Sequence, residues 1–330
     1  MAEPTYSFII PLFNEEAVLP ELYRRLDAVA ASLDGPCEFV FVDDGSSDAS
    51  VAEVLARRES DPRVKLVSLS RNFGHQVAIS AGLDYATGKA IVIMDADLQD
   101  PPEVVPDLIE RWKEGYEVVY AVRDVRPGDS RVRRRMIRFA YRFLSRWSDT
   151  QLPPDAGDFR LVDRRVADIV RNMRESNRYM RGMFAWVGFR QTGVHYERPE
   201  RFAGESKYPF SKLVALAIDG LTGFSAAPLR LMLGFGFAIA GVAFLAGLAA
   251  AVVKIAGDLD VPGWASLIVV LSFFTGVQLI VLGTIGLYVG RIFEQSRGRP
   301  LYLVDRAEGF DPETELGDRI RGHEPETARP

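Results

Sequence analysis

Ala90-Ile91-Val92-Ile93-Met94 runs straight into Asp95-Ala96-Asp97-Leu98-Gln99-Asp100. The apolar run reads as a buried strand, and the acidic cluster sits at its end. Two carboxylates two residues apart can share one divalent cation, and a buried strand does not place bare carboxylates at its end without a counter-charge. Hard cations such as Mg²⁺ or Mn²⁺ take oxygen ligands and typically hold substrate phosphates as well. The cluster therefore suggests a nucleotide diphosphate site. A D-x-D read by itself is more often a solvated turn, and the neighbouring segments change that balance.

Outward from this strand, segments of strand and helix type alternate. Tyr6–Pro11, Glu38–Val42, Val64–Leu69, Ala90–Met94 and Glu117–Ala121 read as strands. Glu15–Ser32 carries Val18, Leu19, Leu22, Leu26 and Val29 at helical spacing. Further helices are expected from N-caps at Ser47-Asp48 to about Arg58, over Gln76–Ala86, and over Pro102–Glu114. This alternation predicts an α/β domain with a mostly parallel sheet covered by helices. Such sheets bind ligands at the carboxyl ends of their strands. Asn14-Glu15, Asp43-Asp44 and Asp95/Asp97 all follow strand ends. Neither G-x-G-x-x-G after the first strand nor G-x-x-x-x-G-K-[ST] is present, so phosphate must be met by metal and arginine.

The 330 residues suffice for one large domain or two ordinary ones, and the net charge of −5 does not suit a general nucleic-acid binder. The single cysteine, Cys37, permits no intramolecular disulfide and reads as core. The start of the chain has no secretory-signal pattern. Residues 231–253 and 265–290 contain no Asp, Glu, Lys or Arg. As helices they would be roughly 35–39 Å long, enough to cross a hydrocarbon core of about 30 Å. They predict a transmembrane hairpin. Arg230 precedes it and Arg291, Arg297 and Arg299 follow it, while the connection holds Lys254 with Asp258 and Asp260. That asymmetry places both termini and the N-terminal domain in the cytoplasm, in a multi-pass protein of the cell (inner or plasma) membrane. The expected layout is a domain over 1–200, a juxtamembrane segment over 201–229, the two spans within 230–291 and a charged cytosolic tail over 292–330, partly disordered from about Arg306.

These residues resemble the family 2 glycosyltransferases of the GT-A fold. The likeness rests on Ile10-Pro11-Leu12-Phe13-Asn14-Glu15-Glu16, Val42-Asp43-Asp44-Gly45-Ser46-Ser47-Asp48 and Asp95-Ala96-Asp97-Leu98-Gln99-Asp100-Pro101-Pro102. Arg71-Asn72-Phe73-Gly74 and Asp155-Ala156-Gly157-Asp158-Phe159-Arg160-Leu161 narrow it to the branch acting on polyisoprenyl phosphates, similar to dolichyl-phosphate mannose synthase and to bacterial enzymes of undecaprenyl phosphate. It covers about residues 5–300. Position 13 is Phe where many relatives have Tyr, and the Q-x-x-R-W motif of processive synthases is absent.

The resemblance implies a set of roles. Pro11, Phe13, Glu15, Val42, Asp44 and Ala96 frame the nucleotide sugar, with Asp43 structural. Asp95, Asp97 and Gln99 hold Mg²⁺ or Mn²⁺ against the diphosphate. Arg201 and Lys207, in Arg201-Phe202-Ala203-Gly204-Glu205-Ser206-Lys207, serve the diphosphate and the lipid phosphate. Arg123, Ser206 and Arg160 join them on the lipid phosphate. Asp158 is a candidate base, an acceptor-positioning residue or a structural carboxylate. Relatives form homotetramers, which makes a homo-oligomer an implied partner state.

Residues 123–147 carry nine arginines, with Val132, Met136, Phe139, Ala140, Phe143, Leu144 and Trp147 as an apolar stripe. A basic amphipathic helix of this kind suits an anionic membrane surface; the other reading docks it on its own domain with solvated arginines. The expected reaction is inverting transfer from a nucleotide sugar, UDP-linked in preference to GDP-linked, to polyprenyl phosphate. GDP-mannose-dependent transfer, a soluble acceptor and a non-catalytic membrane scaffold stand as alternatives.

Overall fold

Four mainly apolar strands build the centre: β1 (Tyr6–Leu12), β2 (Cys37–Asp43), β3 (Val64–Leu69) and β4 (Ala90–Ile93), with Glu38 of β2 and Lys65 of β3 paired to each other. All four are parallel and lie in the order β4-β1-β2-β3. Near-continuous apolar runs are what a sheet covered on both faces requires. The computed structural model describes residues 3–123, 156–173, 175, 178–197, 227–256 and 263–310. One unit holds the sheet, and the other holds two long helices.

Helices α1 (Leu19–Ser32), α2 (Ser50–Ser60), α3 (His75–Tyr85) and α4 (Val105–Lys113) alternate with these strands. Phe8, Phe39 and Phe41 are buried between the layers, each contributing about 2 kcal/mol. Helix α3 lies so close to the sheet that a Cβ on Gly82 would meet Ile9 Cγ2 at 2.2 Å. Helix α1 begins at Leu19, later than expected, because Pro20 suits a first turn and residues 15–18 form a separate turn closed by Val18 N–H on Glu15 O. Helix α2 begins at Ser50, past the expected caps. Asp48 nevertheless accepts from Ser50 N–H, the first of the helix, as the expected cap would, and also from Glu16 N–H.

The second half departs from a simple parallel series. β5 (Val118–Arg123) is not beside β4. β6 (Ala156–Asp163) lies between them, antiparallel to both. After α5 (Arg164–Asn172) and α6 (Met180–Trp186), β7 (Gln191–Tyr196) pairs parallel with β5. Helices α7 (Ala227–Ala256) and α8 (Trp264–Ser296) form the second unit. They are long and apolar enough to cross a membrane, and Phe235, Phe237, Phe244 and Leu279 on them are exposed. The chain then returns as β8 (Val304–Glu308), antiparallel to β3, so residues 304–308 are strand where the start of a loose tail was expected.

This topology gathers chemistry at one edge. β1, β2 and β4 end there, and antiparallel β6 begins there, with Ile93 level with Arg160. β5 and β7 also end there, with Val122 level with Ala156 and Arg123 with Tyr196.

Candidate active site

The loops after β1 and β2 are stitched together. Asn14, in the left-handed region at φ 57°, accepts from Ser47 N–H at 2.8 Å and donates its own N–H to Ser46 Oγ at 2.9 Å. Glu15 N–H donates to Ser50 Oγ at 2.9 Å. Asp43 is structural, accepting from Ser46 N–H and Ser68 Oγ. Asp44 is buried, and its carboxylate takes the N–H groups of Phe73 and Gly74 at 2.7 and 2.9 Å. Burial pushes this carboxyl up against the opposing effect of those bonds. Gly45 has φ +76°, and a Cβ there would lie 2.7 Å from the Arg71 carbonyl carbon. The β2 turn and the Arg71–Gly74 loop are thus one interlocked wall. Pro11, Val42 and Ala96 are buried, while Phe13 is 47% exposed.

After β4 the side chains alternate. Asp95, Asp97 and Gln99 are partly exposed, whereas Ala96, Leu98 and Asp100 are buried. Leu98 sits at φ 58°. Asp97 Oδ1 accepts from Gln99 N–H at 3.1 Å, which fixes the turn. Asp95 Oδ1 accepts no hydrogen bond, although His75 Nε2 lies 3.3 Å away. Burial first, then Asp100, Asp158 and Asp97, push the Asp95 carboxyl up to about 7 against the pull of His75.

Asp158, the third residue of β6, is buried. Arg181 Nε and Nη2 donate to its two oxygens at 2.9 and 3.0 Å, and Gln76 Nε2 donates at 3.2 Å. His75 Nε2 lies 3.6 Å from Oδ2, an ion-pair distance. Burial raises this carboxyl, but His75, Arg181 and Arg160 outweigh it and hold it well below the usual carboxylate range. A carboxylate so held is a weak base. Burial lowers His75, but Asp158 and Asp95 raise it to about 9, so the imidazole is charged at neutral pH.

Arg123 ends β5. Its Nε donates to Tyr196 Oη at 3.1 Å and its Nη2 to Asp100 Oδ1 at 3.4 Å, and Tyr196 Oη donates to the same oxygen at 2.9 Å. Asp100 Oδ2 has no hydrogen-bond partner, and burial pushes its carboxyl up. Arg160 corrects an expectation. It is 3% exposed, its guanidinium donates to the carbonyls of Gly157 and Asp158, and it lies over the Phe184 ring at 4.9 Å. A lipid phosphate cannot reach it; it braces the start of β6. Arg201, Ser206, Lys207 and the arginine-rich stretch after Arg123 lie outside the described residues.

The sequence reading passed over His75, Gln76, Arg181, Asp100 and Tyr196. His75 directly follows Arg71-Asn72-Phe73-Gly74, and Asp100 closes the acidic cluster, so one adjoins and the other belongs to a motif visible in the sequence. Arg181 and Tyr196 are brought in only by the fold.

The donor set suits a divalent cation. Asp95 offers a buried oxygen with no hydrogen bond beside Asp97. Among the described residues no three His, Cys, Asp or Glu form a cage. Mg²⁺ in particular is commonly held by one or two carboxylates with substrate phosphates completing the shell.

The family model described as glycosyl transferase family 2 matches residues 7–170. The protein named uncharacterized glycosyltransferase YkcC from Bacillus subtilis (strain 168) is 47% identical over 306 residues, 93% of this chain and 95% of that one. The prophage bactoprenol glucosyl transferase homolog of Escherichia coli (strain K12) is 39% identical over 300 residues, 91% of this chain and 98% of the relative. The SfII prophage-derived bactoprenol glucosyl transferase of Shigella flexneri is 38% identical over 306 residues, 93% and 99% of the two chains. The chain belongs to glycosyltransferase family 2, and its sheet is that of the GT-A fold. It is a glycosyltransferase.

Proposed function

We propose that the protein transfers a sugar from a nucleotide sugar, UDP-glucose being the first donor to test, to a polyprenyl phosphate at the cytoplasmic face of the cell membrane. The observation that carries this reading is the pairing, at one sheet edge, of the Asp95/Asp97 carboxylates with the His75–Asp158–Arg181 cluster. The first suits a metal-bound diphosphate and the second an anionic acceptor. Two apolar helices in the same chain, and relatives named bactoprenol glucosyl transferase, support a lipid acceptor. We read the helices as a hairpin with both termini in the cytoplasm, and their glycines as packing faces for a homo-oligomer.

In this reading Phe13 would face the base, with Glu15 and the Asp44 wall on the ribose side. Asp95 and Asp97, with Gln99, would hold Mg²⁺ or Mn²⁺, which when bound supplies positive charge to offset the diphosphate leaving group. The acceptor phosphate oxygen forms a bond to C1 as the C1–oxygen bond to the nucleoside diphosphate breaks, with inversion. A phosphate monoester is largely ionised near neutral pH and needs no strong base, in keeping with the depressed Asp158 carboxyl. Arg123, held by Asp100 and Tyr196, keeps a fixed cation at the acceptor side. Much of the rate comes from holding two anionic substrates together.

The test is transfer by purified protein from labelled UDP- and GDP-sugars to a short polyprenyl phosphate. An organic-extractable product from one donor, lost with EDTA, establishes the reaction and names the sugar. A product formed equally well without polyprenyl phosphate overturns the acceptor, and GDP-mannose as the donor used overturns the carrier.

A further inference from the structure

Two halves of the site meet at a residue that neither the acidic cluster nor the start of β6 contains. His75 opens α3, and its Nε2 stands 3.3 Å from Asp95 Oδ1 and 3.6 Å from Asp158 Oδ2. Asp95 follows β4 and Asp158 is the third residue of β6, so a single side chain reaches two strands. The next residue extends the link. Gln76 Nε2 donates to Asp158 Oδ2 at 3.2 Å, and its Oε1 accepts from Met180 N–H at 2.9 Å. Met180 directly precedes Arg181, which grips Asp158 from the other side. Asp158 is therefore fixed on two flanks, whereas Asp95 Oδ1 accepts no hydrogen bond and has His75 as its near neighbour.

We propose that His75 is a positioning residue that ties Asp95, on the donor side, to Asp158, on the acceptor side, so that the two halves of the site keep one spacing. Transfer needs the attacking oxygen and C1 in near-contact, and a small error in that spacing costs rate steeply. Outer partners of metal-binding carboxylates orient them and matter for affinity and activity alike. The short arm of an imidazole is stiff, and α3 is itself anchored on the sheet at Gly82. The link therefore transmits position from one carboxylate to the other. This inference rests on the reading of Asp95 as the donor-side ligand.

The test compares the unaltered full chain with His75→Gln, which retains an N–H donor of similar reach, and His75→Ala. Readouts are Mn²⁺ binding in the presence of UDP, kcat and KM for transfer, and thermal unfolding. His75→Ala is expected to lose about tenfold in Mn²⁺–UDP affinity and in kcat while KM for polyprenyl phosphate stays within about threefold; His75→Gln recovers most of both. Combining His75→Ala with Asp158→Asn should cost less in kcat than the two losses multiplied, since both break one link. Losses that multiply in full, a His75→Gln variant no better than His75→Ala, or a fall in thermal stability with native kcat per folded molecule would each overturn it. If the unaltered protein binds Mn²⁺–UDP but glycosylates no polyprenyl phosphate, the acceptor reading fails, and the binding comparison alone still decides the role of His75.

Discussion

Arg181 holds Asp158 through two parallel hydrogen bonds, Nε to Oδ1 at 2.9 Å and Nη2 to Oδ2 at 3.0 Å. Removing the arginine leaves a buried carboxylate with Gln76 and His75 but without its two strongest bonds. Arg181→Ala should cost about 2 kcal/mol, less than for a fully buried pair because the arginine is partly exposed. Differential scanning of the protein in detergent should show melting about 5 °C lower. Because the folded Asp158 pKa is depressed, its contribution is present above the ordinary carboxylate pKa and fades only as pH falls below that range.

In metal-free buffer the opposite slope should appear at higher pH. Asp95 is raised to about 7 and His75 to about 9, so the folded protein binds more protons than the unfolded chain. Stability is fully present below the unfolded values and declines as pH rises through about 7 for Asp95 and about 9 for His75. Melting followed from pH 5 to pH 9 checks the slope. Mn²⁺ added at pH 8 should raise the melting temperature more than at pH 6, since protons no longer compete for the carboxylates.

Asp97→Asn should reduce transfer by about a hundredfold or more through loss of metal and diphosphate contacts. The variant should still fold and remain in membranes. Full activity in purified Asp97→Asn would remove it from the metal site.

Phe13 is 47% exposed beside the wall formed by Asp44 and the Arg71–Gly74 loop. Phe13→Ala should raise KM for the nucleotide sugar by about tenfold, the scale of a lost base–aromatic stack. Phe13→Tyr should be nearly neutral. Steady-state kinetics on both variants separates stacking from any hydroxyl contact.

Gly45→Ala should be among the most damaging single-methyl changes. The residue has φ +76°, and its Cβ would lie 2.7 Å from backbone atoms of Arg71 and Asn72. Loss of about 2 kcal/mol or more in thermal stability is expected, with weakened nucleotide binding because the interlocked wall must open.

The central sheet was legible because β1–β4 are contiguous apolar runs separated by helices with strong periodicity. β6 was not read as a strand because its sequence, AGDFRLVD, carries Asp158 and Arg160 into the interior, where only tertiary partners satisfy them. β8, VDRAE, is as charged as an edge strand can be and looks like tail. The carboxylates of the site announced themselves by position after strands. His75 and Arg181 did not, because a single histidine or arginine gains meaning only when the sheet order brings it to Asp158, 83 residues and 23 residues away in sequence.

The return of the chain as β8 changes how a shortened protein should behave. Ser70 N–H bonds to Leu303 O, Tyr302 Oη to Asp84, and Phe310 packs on the Tyr85 ring at 4.7 Å. The apolar helices are an excursion between two pieces of one catalytic sheet. Cutting the gene ahead of α7 to obtain a soluble enzyme would strip the outer strand from β3 and leave its backbone donors and acceptors open to a neighbouring molecule. A water-soluble version should instead splice the 298–310 segment back on through a flexible linker, trading the membrane excursion for a bridge while keeping the sheet whole.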